Sequence, residues 1–359
     1  MGCKLTMTYR RVVAGRRGGP EVLEVVEAPL PEPEPGQARV RIQAAGVSYA
    51  DILMREGVHP ETPAGPFTPG WDLAGVVDAL GPGVDGWQPG QAVAAMPVTG
   101  GYAEYLCLPA AELVPVPAGL DPAEVACIVF NYVTAYQMLH RSVHLGRGQR
   151  ILVHAAAGGI GTALLQLGRL AGLELYGTAS AAKHGLLASL GCTAIDYRTT
   201  DFVAEIRRLT GDGVDAVFDG IGGQHLWRSY RALRRGGRVV FYGLTSSLAA
   251  DGRLAGGRRG RLRGLILPTL GMALSRLLPN GKAMTLYSVQ TLRRRKPELY
   301  RQDVAVLLDL LARGQIKPLI AGRLSLSQAR QAHELLGSGS VVGKLVLADQ
   351  SAATAGSSA

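Results

Sequence analysis

At 359 residues the chain is long for one core and comfortable for two domains. Its 47% hydrophobic content and mean hydropathy of +0.14 fit a globular protein with a large core. The 48 glycines follow no triplet period, which excludes collagen and points to tight turns and close backbone approach to a ligand. The net charge of +10 favours anions, nucleotide phosphates included. Its Arg clusters, Arg258–Arg263 and Arg293–Lys296, are not interleaved with aromatics, so they read as solvated loops and helix ends rather than a nucleic-acid surface. Cys3, Cys107, Cys127 and Cys192 are isolated, which argues against a disulfide framework or a Cys-built structural zinc and for a reducing cytoplasm. No segment reaches the roughly 18 uninterrupted apolar residues of a membrane span, and no secretory signal is expected.

Residues 1–6 read as a leader, and MTYRRVV from Met7 as the first strand. Residues 1–123 read as strands and turns: ARVRIQAAGV alternates, while LAGVVDAL and QAVAAMPV are short apolar runs between Gly and Pro. From Ala123 the texture changes. AEVACIVFNYVTAYQMLHR has helical spacing; RILVHAAAGGIGTALLQLGRLAG then reads strand, glycine turn, helix. Strands LELYGTAS, DAVFDGIG and RVVFYGL alternate with helices AAKHGLLASLG, DFVAEIRRLTG and WRSYRALRRGG, the pattern of βαβ units on a parallel sheet. Residues 124–292 therefore form a doubly wound Rossmann domain. Within it the apolar LILPTLGMALSRLL reads as core or interface, and AMTLYSV as an edge strand. Residues 293–348 return to the β-rich domain with helices PELYRQDVAVLLDLLARGQI and SLSQARQAHELLGSG, the latter capped by Ser325 or Ser327, and close on strand VVGKLVLA. Residues 349–359 read as a disordered tail.

Ala156-Ala157-Gly158-Gly159-Ile160-Gly161 follows an apolar strand and opens a helix, the context a dinucleotide fingerprint requires. Gly158 lets the backbone approach a pyrophosphate, and Gly161 lets helix and strand pack closely. The helix N-terminus offers amides and partial positive charge to the phosphates. About 20 residues on, where an acid would bond the ribose 2′-hydroxyl of NADH, the chain has Ser180 and then Lys183. A hydroxyl and an ammonium welcome a 2′-phosphate, and Tyr197 and Arg198 after the next strand can close over it. The expected cofactor is NADPH.

AGVSYADILMREG, GPFTPGWDLAGVV and HAAAGGIG resemble segments of the medium-chain dehydrogenase/reductases, zinc-independent quinone oxidoreductase branch. LLPNGKAMTLYS and LRRRKPELYRQD are most similar to the VAT-1-like subgroup. The resemblance runs from about Met7 to Ala348 and implies an α/β fold: a Rossmann domain plus a β-rich GroES-like catalytic domain. It implies cofactor contacts at Asn131, Thr134, Gly222, Gly243 and Lys344. It also implies a homodimer that joins sheets edge to edge. Zinc-dependent members carry a Cys where Ser48 stands and His-Glu where Trp71-Asp72 stands, so no metal is expected. His154, His184 and His225 read as ordinary packing or surface residues.

Zinc-free relatives reduce quinones and the C=C of enones and enals, and the oxyanion that develops needs hydrogen-bond donors. Ser48, Tyr49 and Tyr132 are the candidate catalytic donors, with Asn131 and Thr134 beside them; where some quinone reductases carry a Tyr, this chain has Leu53. Asp51 reads as structural, holding its own turn. The substrate is a small molecule. A pathway-specific enoyl reductase stays open as an alternative. So does a VAT-1-like nucleotide-binding protein without turnover, for which the basic run Arg258–Arg263 beside the apolar stretch is the feature that would favour lipid.

Overall fold

The computed structural model describes residues 7–243 and 279–348. The leader 1–6, the run Arg258–Arg263 with the apolar stretch after it, and the tail 349–359 lie outside those residues. The described residues divide into two units, 7–130 with 304–348 and 131–243 with 279–303.

In the first unit β1 (Thr8–Ala14) and β2 (Leu23–Pro29) form an antiparallel ribbon. The main sheet uses β3 (Gln37–Val47), β4 (Leu73–Leu80), β5 (Ala92–Ala95), β6 (Tyr105–Pro109) and β7 (Val114–Pro115). Two late strands, β14 (Ile320–Leu324) and β15 (Lys344–Ala348), join them in the order β14-β15-β3-β4-β5-β7, with β6 also on β3. Only β14 and β15 pair in parallel. The alternation in β3 sends Ala38 and Val40 inward against Leu73, Val77, Val93 and Leu108. Each buried aliphatic side chain there contributes about 1.5–3 kcal/mol.

One element contradicts the reading of strands and turns up to residue 123. Helix α1 (Tyr49–Arg55) follows β3 directly, closed at its start by a capping box between Ser48 and Asp51. The cap at the other end of the chain resolves to Ser325, in a capping box with Gln328.

The second unit is an all-parallel six-stranded sheet of β8 (Arg150–Val153), β9 (Glu174–Ala179), β10 (Cys192–Asp196), β11 (Val214–Asp219), β12 (Leu233–Phe241) and β13 (Ala283–Leu286). The order β10-β9-β8-β11-β12-β13 runs outward both ways from β8, so β8 and β11 flank the point where the winding reverses. AMTLYSV supplies β13, an edge strand of this sheet. The helical run before β8 begins with α2 (Pro122–Cys127) and continues through α3 (Val133–Gln137), with π turns at Ile128–Tyr132 and Met138–Ser142. The first division between the units falls inside the first π turn, and the second falls inside the helix Pro297–Ala312. The sequence texture had marked these divisions at residues 123/124 and 292/293. Helices α4 (Gly159–Leu170), α5 (His184–Ser189), α6 (Phe202–Thr210) and α7 (His225–Ala232) link the strands. Among the described residues no helix is long and apolar enough to cross a membrane, and Cys107, Cys127 and Cys192 are unpaired.

Candidate functional site

The fingerprint turn leaves β8 at His154 and Ala155, the latter with φ of 50°. Gly158 is the N-cap of α4, and no side chain caps the helix, so its first-turn amides are open to an anion. A Cβ on Gly161 would come within 2.7 Å of the Cα of Ala156 and closer still to the Ala155 oxygen, all backbone atoms. Ala156 and Ala157 are buried, while Gly158, Gly159 and Ile160 are partly exposed.

Ser180 lies just past the end of β9, and its hydroxyl makes no capping bond to the turn after it. Burial, and then the charge of Arg198, lower the Lys183 pKa, so two cations approach each other there. The Arg198 guanidinium lies over the ring of Tyr197, which is 54% exposed. These four side chains gather at the carboxyl ends of the neighbouring strands β9 and β10.

Gly222 and Gly243 bring the loops after β11 and β12 backbone to backbone. A Cβ on Gly243 would meet the Gly220 oxygen at 2.6 Å, and one on Gly222 would meet the Gly243 oxygen at 3.0 Å. Asp219, at the end of β11, holds this arrangement. Its carboxylate accepts from the amides of Ile221 (2.8 Å) and Gly222 (3.0 Å), from His225 Nδ1 (3.0 Å) and from Ser229 Oγ (2.6 Å). Burial alone would raise its pKa, but the bonds from His225 and Ser229 and the nearby histidines bring it well below the usual range.

The Ser229 proton goes to Asp219, so His154 Nε2 donates to Ser229 Oγ (3.1 Å) and His154 Nδ1 accepts from Thr178 Oγ1 (2.9 Å). His154 must therefore be neutral, and burial holds its pKa down at about 3. This network ties the ends of β8, β9 and β11 to α7. It gives the packing residues His154 and His225 specific hydrogen-bond partners; that signal is non-local, with 75 residues between His154 and Ser229. Among the described residues His154, Asp219 and His225 form the one trio with ligand atoms within 4.8 Å of each other. Ser229 Oγ lies among them, bonded to Asp219 and His154, and every bond accounts for an atom a metal would need. His184, by contrast, places a ring nitrogen 3.3 Å from the Ala179 carbonyl.

Asn131, Tyr132 and Thr134 are all buried, in and just after the first π turn.

In the first unit Ser48 Oγ donates to Asp51 Oδ2 (2.7 Å), and Asp51 Oδ1 accepts from the Gly70 amide (2.9 Å). The Tyr49 hydroxyl donates to the Leu336 carbonyl (2.9 Å), a tie between distant segments of the chain. Lys344, expected at the cofactor, is 3% exposed, and its Nζ lies 2.9 Å from Asp72 Oδ2. Asp72 Oδ1 accepts from the Gly46 amide. Trp71 packs on Phe130 with ring centroids 5.2 Å apart, and Lys344 Nζ lies 5.2 Å from the Phe130 centroid.

Residues 34–118 match the family described as alcohol dehydrogenase GroES-like domain, and residues 190–347 match zinc-binding dehydrogenase. The human synaptic vesicle membrane protein VAT-1 homolog is 34% identical over 345 residues, 92% of this chain and 84% of that protein. The chain belongs to the medium-chain dehydrogenase/reductase superfamily. Rat quinone oxidoreductase is 30% identical over 336 residues, 92% of this chain and 94% of its own. The Escherichia coli quinone oxidoreductase complexed with NADPH matches in structure with a TM-score of 0.83 at 27% identity, covering 96% of this chain and all of that one. The GroES-like first unit and the Rossmann second unit are those of this superfamily, whose members are oxidoreductases.

Within the superfamily, the segments where zinc-dependent members hold their metal carry different chemistry here. Ser48 serves as a helix cap, Trp71 offers no ligand atom, and the Asp72 carboxylate is neutralised by the Lys344 ammonium. Burial pushes Asp51 up to about 6 from the ordinary 3.8, against the bonds from Ser48 and the charge of Lys344. A folded value above the unfolded one means that protonation favours the fold. The cost of ionising Asp51 is present above about pH 6 and vanishes as pH falls towards 4, a difference of about 3 kcal/mol. Infrared difference spectra should show a carboxylic-acid C=O band that titrates near the raised value and is lost in Asp51→Asn; a carboxyl that titrates in the ordinary range contradicts this.

Proposed function

We propose that the protein is a zinc-independent, NADPH-dependent oxidoreductase that delivers hydride to a quinone or an α,β-unsaturated carbonyl compound. The observation that carries this reading is the uncapped glycine turn of α4 with Ser180, Lys183, Tyr197 and Arg198 gathered at the ends of β9 and β10. The open amides of α4 suit a pyrophosphate, and the cation pair suits a 2′-phosphate, which would relieve its repulsion. Ala156, Ala157, Gly158, Gly159, Ile160 and Gly161 would hold the pyrophosphate. Gly222 and Gly243, with no side chains, leave room beside β11 and β12 for the ribose and nicotinamide, and Asn131, Thr134 and Tyr132 are proposed near the ring. When bound, the cofactor supplies the hydride. The absence of a zinc ligand set at Ser48, Trp71 and Asp72 favours acceptors already electron-poor, since nothing there polarises a plain ketone.

The test is NADPH consumption by the purified chain with quinones, enals and enones, beside a zinc assay. The reading expects turnover with at least one class and no stoichiometric zinc. NADPH binding without turnover on any acceptor would favour the VAT-1-like alternative, and turnover on a single dedicated enoyl substrate would favour the pathway enzyme. Ser180→Asp is expected to reverse the preference for NADPH over NADH, because a carboxylate repels a 2′-phosphate and accepts from a 2′-hydroxyl; an unchanged ratio of kcat/KM values contradicts the site. We also propose a cytoplasmic homodimer joined through β13, where Leu286 is 54% exposed. Sedimentation at micromolar concentration should give the dimer mass, and monomer alone contradicts it.

A further inference from the structure

Within the Rossmann unit, α6 and α7 border a cleft of about 480 Å³, the volume of a small-molecule site. Asp201, Ala204 and Arg207 line it from the α6 side, Tyr230 and Arg231 from α7, and Lys282 from the turn before β13. Arg207 is fixed by three carbonyls, those of Asp212, Arg231 (2.9 Å) and Leu233 (3.1 Å). Lys282 Nζ lies 3.4 Å from the Tyr230 carbonyl and over the Tyr230 ring. Asp212 leads into β11, Leu233 opens β12 and Lys282 leads into β13, so the cations gather at the amino end of the sheet. The fingerprint turn, Ser180, Gly222 and Gly243 follow the carboxyl ends of their strands, at the opposite edge.

Arg207 and Lys282 close the C-terminal end of α7, but their charge exceeds what a helix end can balance. The free carbonyls there amount to about half a negative charge. Carbonyls hold a guanidinium in place without neutralising it. Among the described residues Arg207, Arg231 and Lys282 have no carboxylate partner. Asp201, the acid of the cleft, is already balanced. Its Oδ1 accepts from the amides of Val203 (2.8 Å) and Ala204 (3.2 Å), and its Oδ2 lies 3.4 Å from an Arg228 nitrogen. About two positive charges are therefore left without a counterion. Burial, and then the charge of Arg207, lower the Lys282 pKa, which is the mark of two cations held together.

We propose that this cleft binds a small organic phosphate monoester, its phosphate seated against Arg207, Arg231 and Lys282. A monoester carries close to two negative charges at neutral pH, which matches the excess. Arg231 and Lys282 supply the donors, and Arg207, already bonded to the carbonyls, supplies a fixed charge. The cleft is much larger than a phosphate, so an organic body fills the rest. It lies beside the Tyr230 ring, on which the exposed Trp227 packs with centroids 5.7 Å apart. A concave site of this volume suits a small molecule better than a membrane or a nucleic-acid duplex. The proposal is independent of the cofactor reading.

The probes are phenyl phosphate and phenyl sulfate, alike in shape but about one charge apart at neutral pH. Calorimetry on the intact chain is expected to show one phenyl phosphate per chain, saturating below about 1 mM, and phenyl sulfate about tenfold weaker. Arg231→Gln and Lys282→Met each weaken phenyl phosphate by about tenfold, Arg231→Lys recovers to within about threefold, and Lys183→Met has no effect. Arg231 is exposed, so its variants keep the wild-type melting temperature. NADPH affinity in the Arg231 and Lys282 variants equals that of wild type. No saturation by about 10 mM, equal affinity for the two probes, or wild-type binding in both Arg231→Gln and Lys282→Met overturns the proposal. Binding lost in Lys183→Met and kept in the others also overturns it, because the phosphate then sits at the end of β9. A loss of NADPH affinity in the Arg231 or Lys282 variants overturns it as well, because the cleft then belongs to the cofactor.

Discussion

Gly161→Ala is expected to weaken NADPH binding by about a hundredfold, equivalent to roughly 3 kcal/mol, and to lower the melting temperature as well. The added Cβ has nowhere to go. It would lie within 2.7 Å of the Cα and carbonyl carbon of Ala156 and inside contact distance of the Ala155 oxygen, and backbone atoms cannot swing aside as a side chain can. Either the turn opens or α4 shifts away from β8, and both displace the amides that are meant to face the pyrophosphate. Gly158→Ala provides the contrast. Gly158 has φ of −80°, and its nearest neighbour to a new Cβ is the Ala155 oxygen at 3.3 Å, so the fold tolerates the methyl with little adjustment. Its methyl projects where a phosphate should approach, so it is expected to weaken the cofactor without a comparable loss of stability. Thermal melts with and without NADPH, with fluorescence titration, separate the two variants. Equal Kd values for Gly161→Ala and wild type would contradict the placement of the pyrophosphate.

Lys344→Met is expected to destabilise the first unit by about 3–5 kcal/mol, because it leaves the Asp72 charge buried without its partner. Asp72 is wholly buried and Lys344 nearly so, and the ammonium adds a contact with the face of Phe130. Such pairs stabilise little over an apolar replacement of both members, so Lys344→Met with Asp72→Leu should recover most of the loss. Differential scanning calorimetry reads both. A single variant within 1 °C of wild type would mean that the pair is not formed. The double variant tests more than stability: Asp72 also holds the Gly46 amide, two residues before Ser48, so a recovered fold with slower turnover would separate the pair's contribution to the site from its contribution to the core.

The Rossmann unit was legible because its signals are local. Apolar strands alternate with helices at short range, and the glycine turn carries its own context, so six parallel strands and the fingerprint could be read directly. Helix α1 was missed because its seven residues lie between Gly- and Pro-punctuated strands, although Ser48-x-x-Asp51 is a capping signal in plain view. The polar networks could not be read, because their partners lie far apart in the chain. Lys344 and Asp72 are 272 residues apart, and the bond from Tyr49 to Leu336 spans 287. The resemblance places Lys344 at the cofactor, and the fold adds a buried partner, Asp72, that no local pattern announces.

The most direct measurement is equilibrium titration of the intact chain with NADPH and with NADH, followed by protein fluorescence and melting temperature. The account predicts saturable binding of NADPH, one per chain, about tenfold or more tighter than NADH because only the former carries the 2′-phosphate. No response to either nucleotide, or NADH bound as tightly as NADPH, would contradict it.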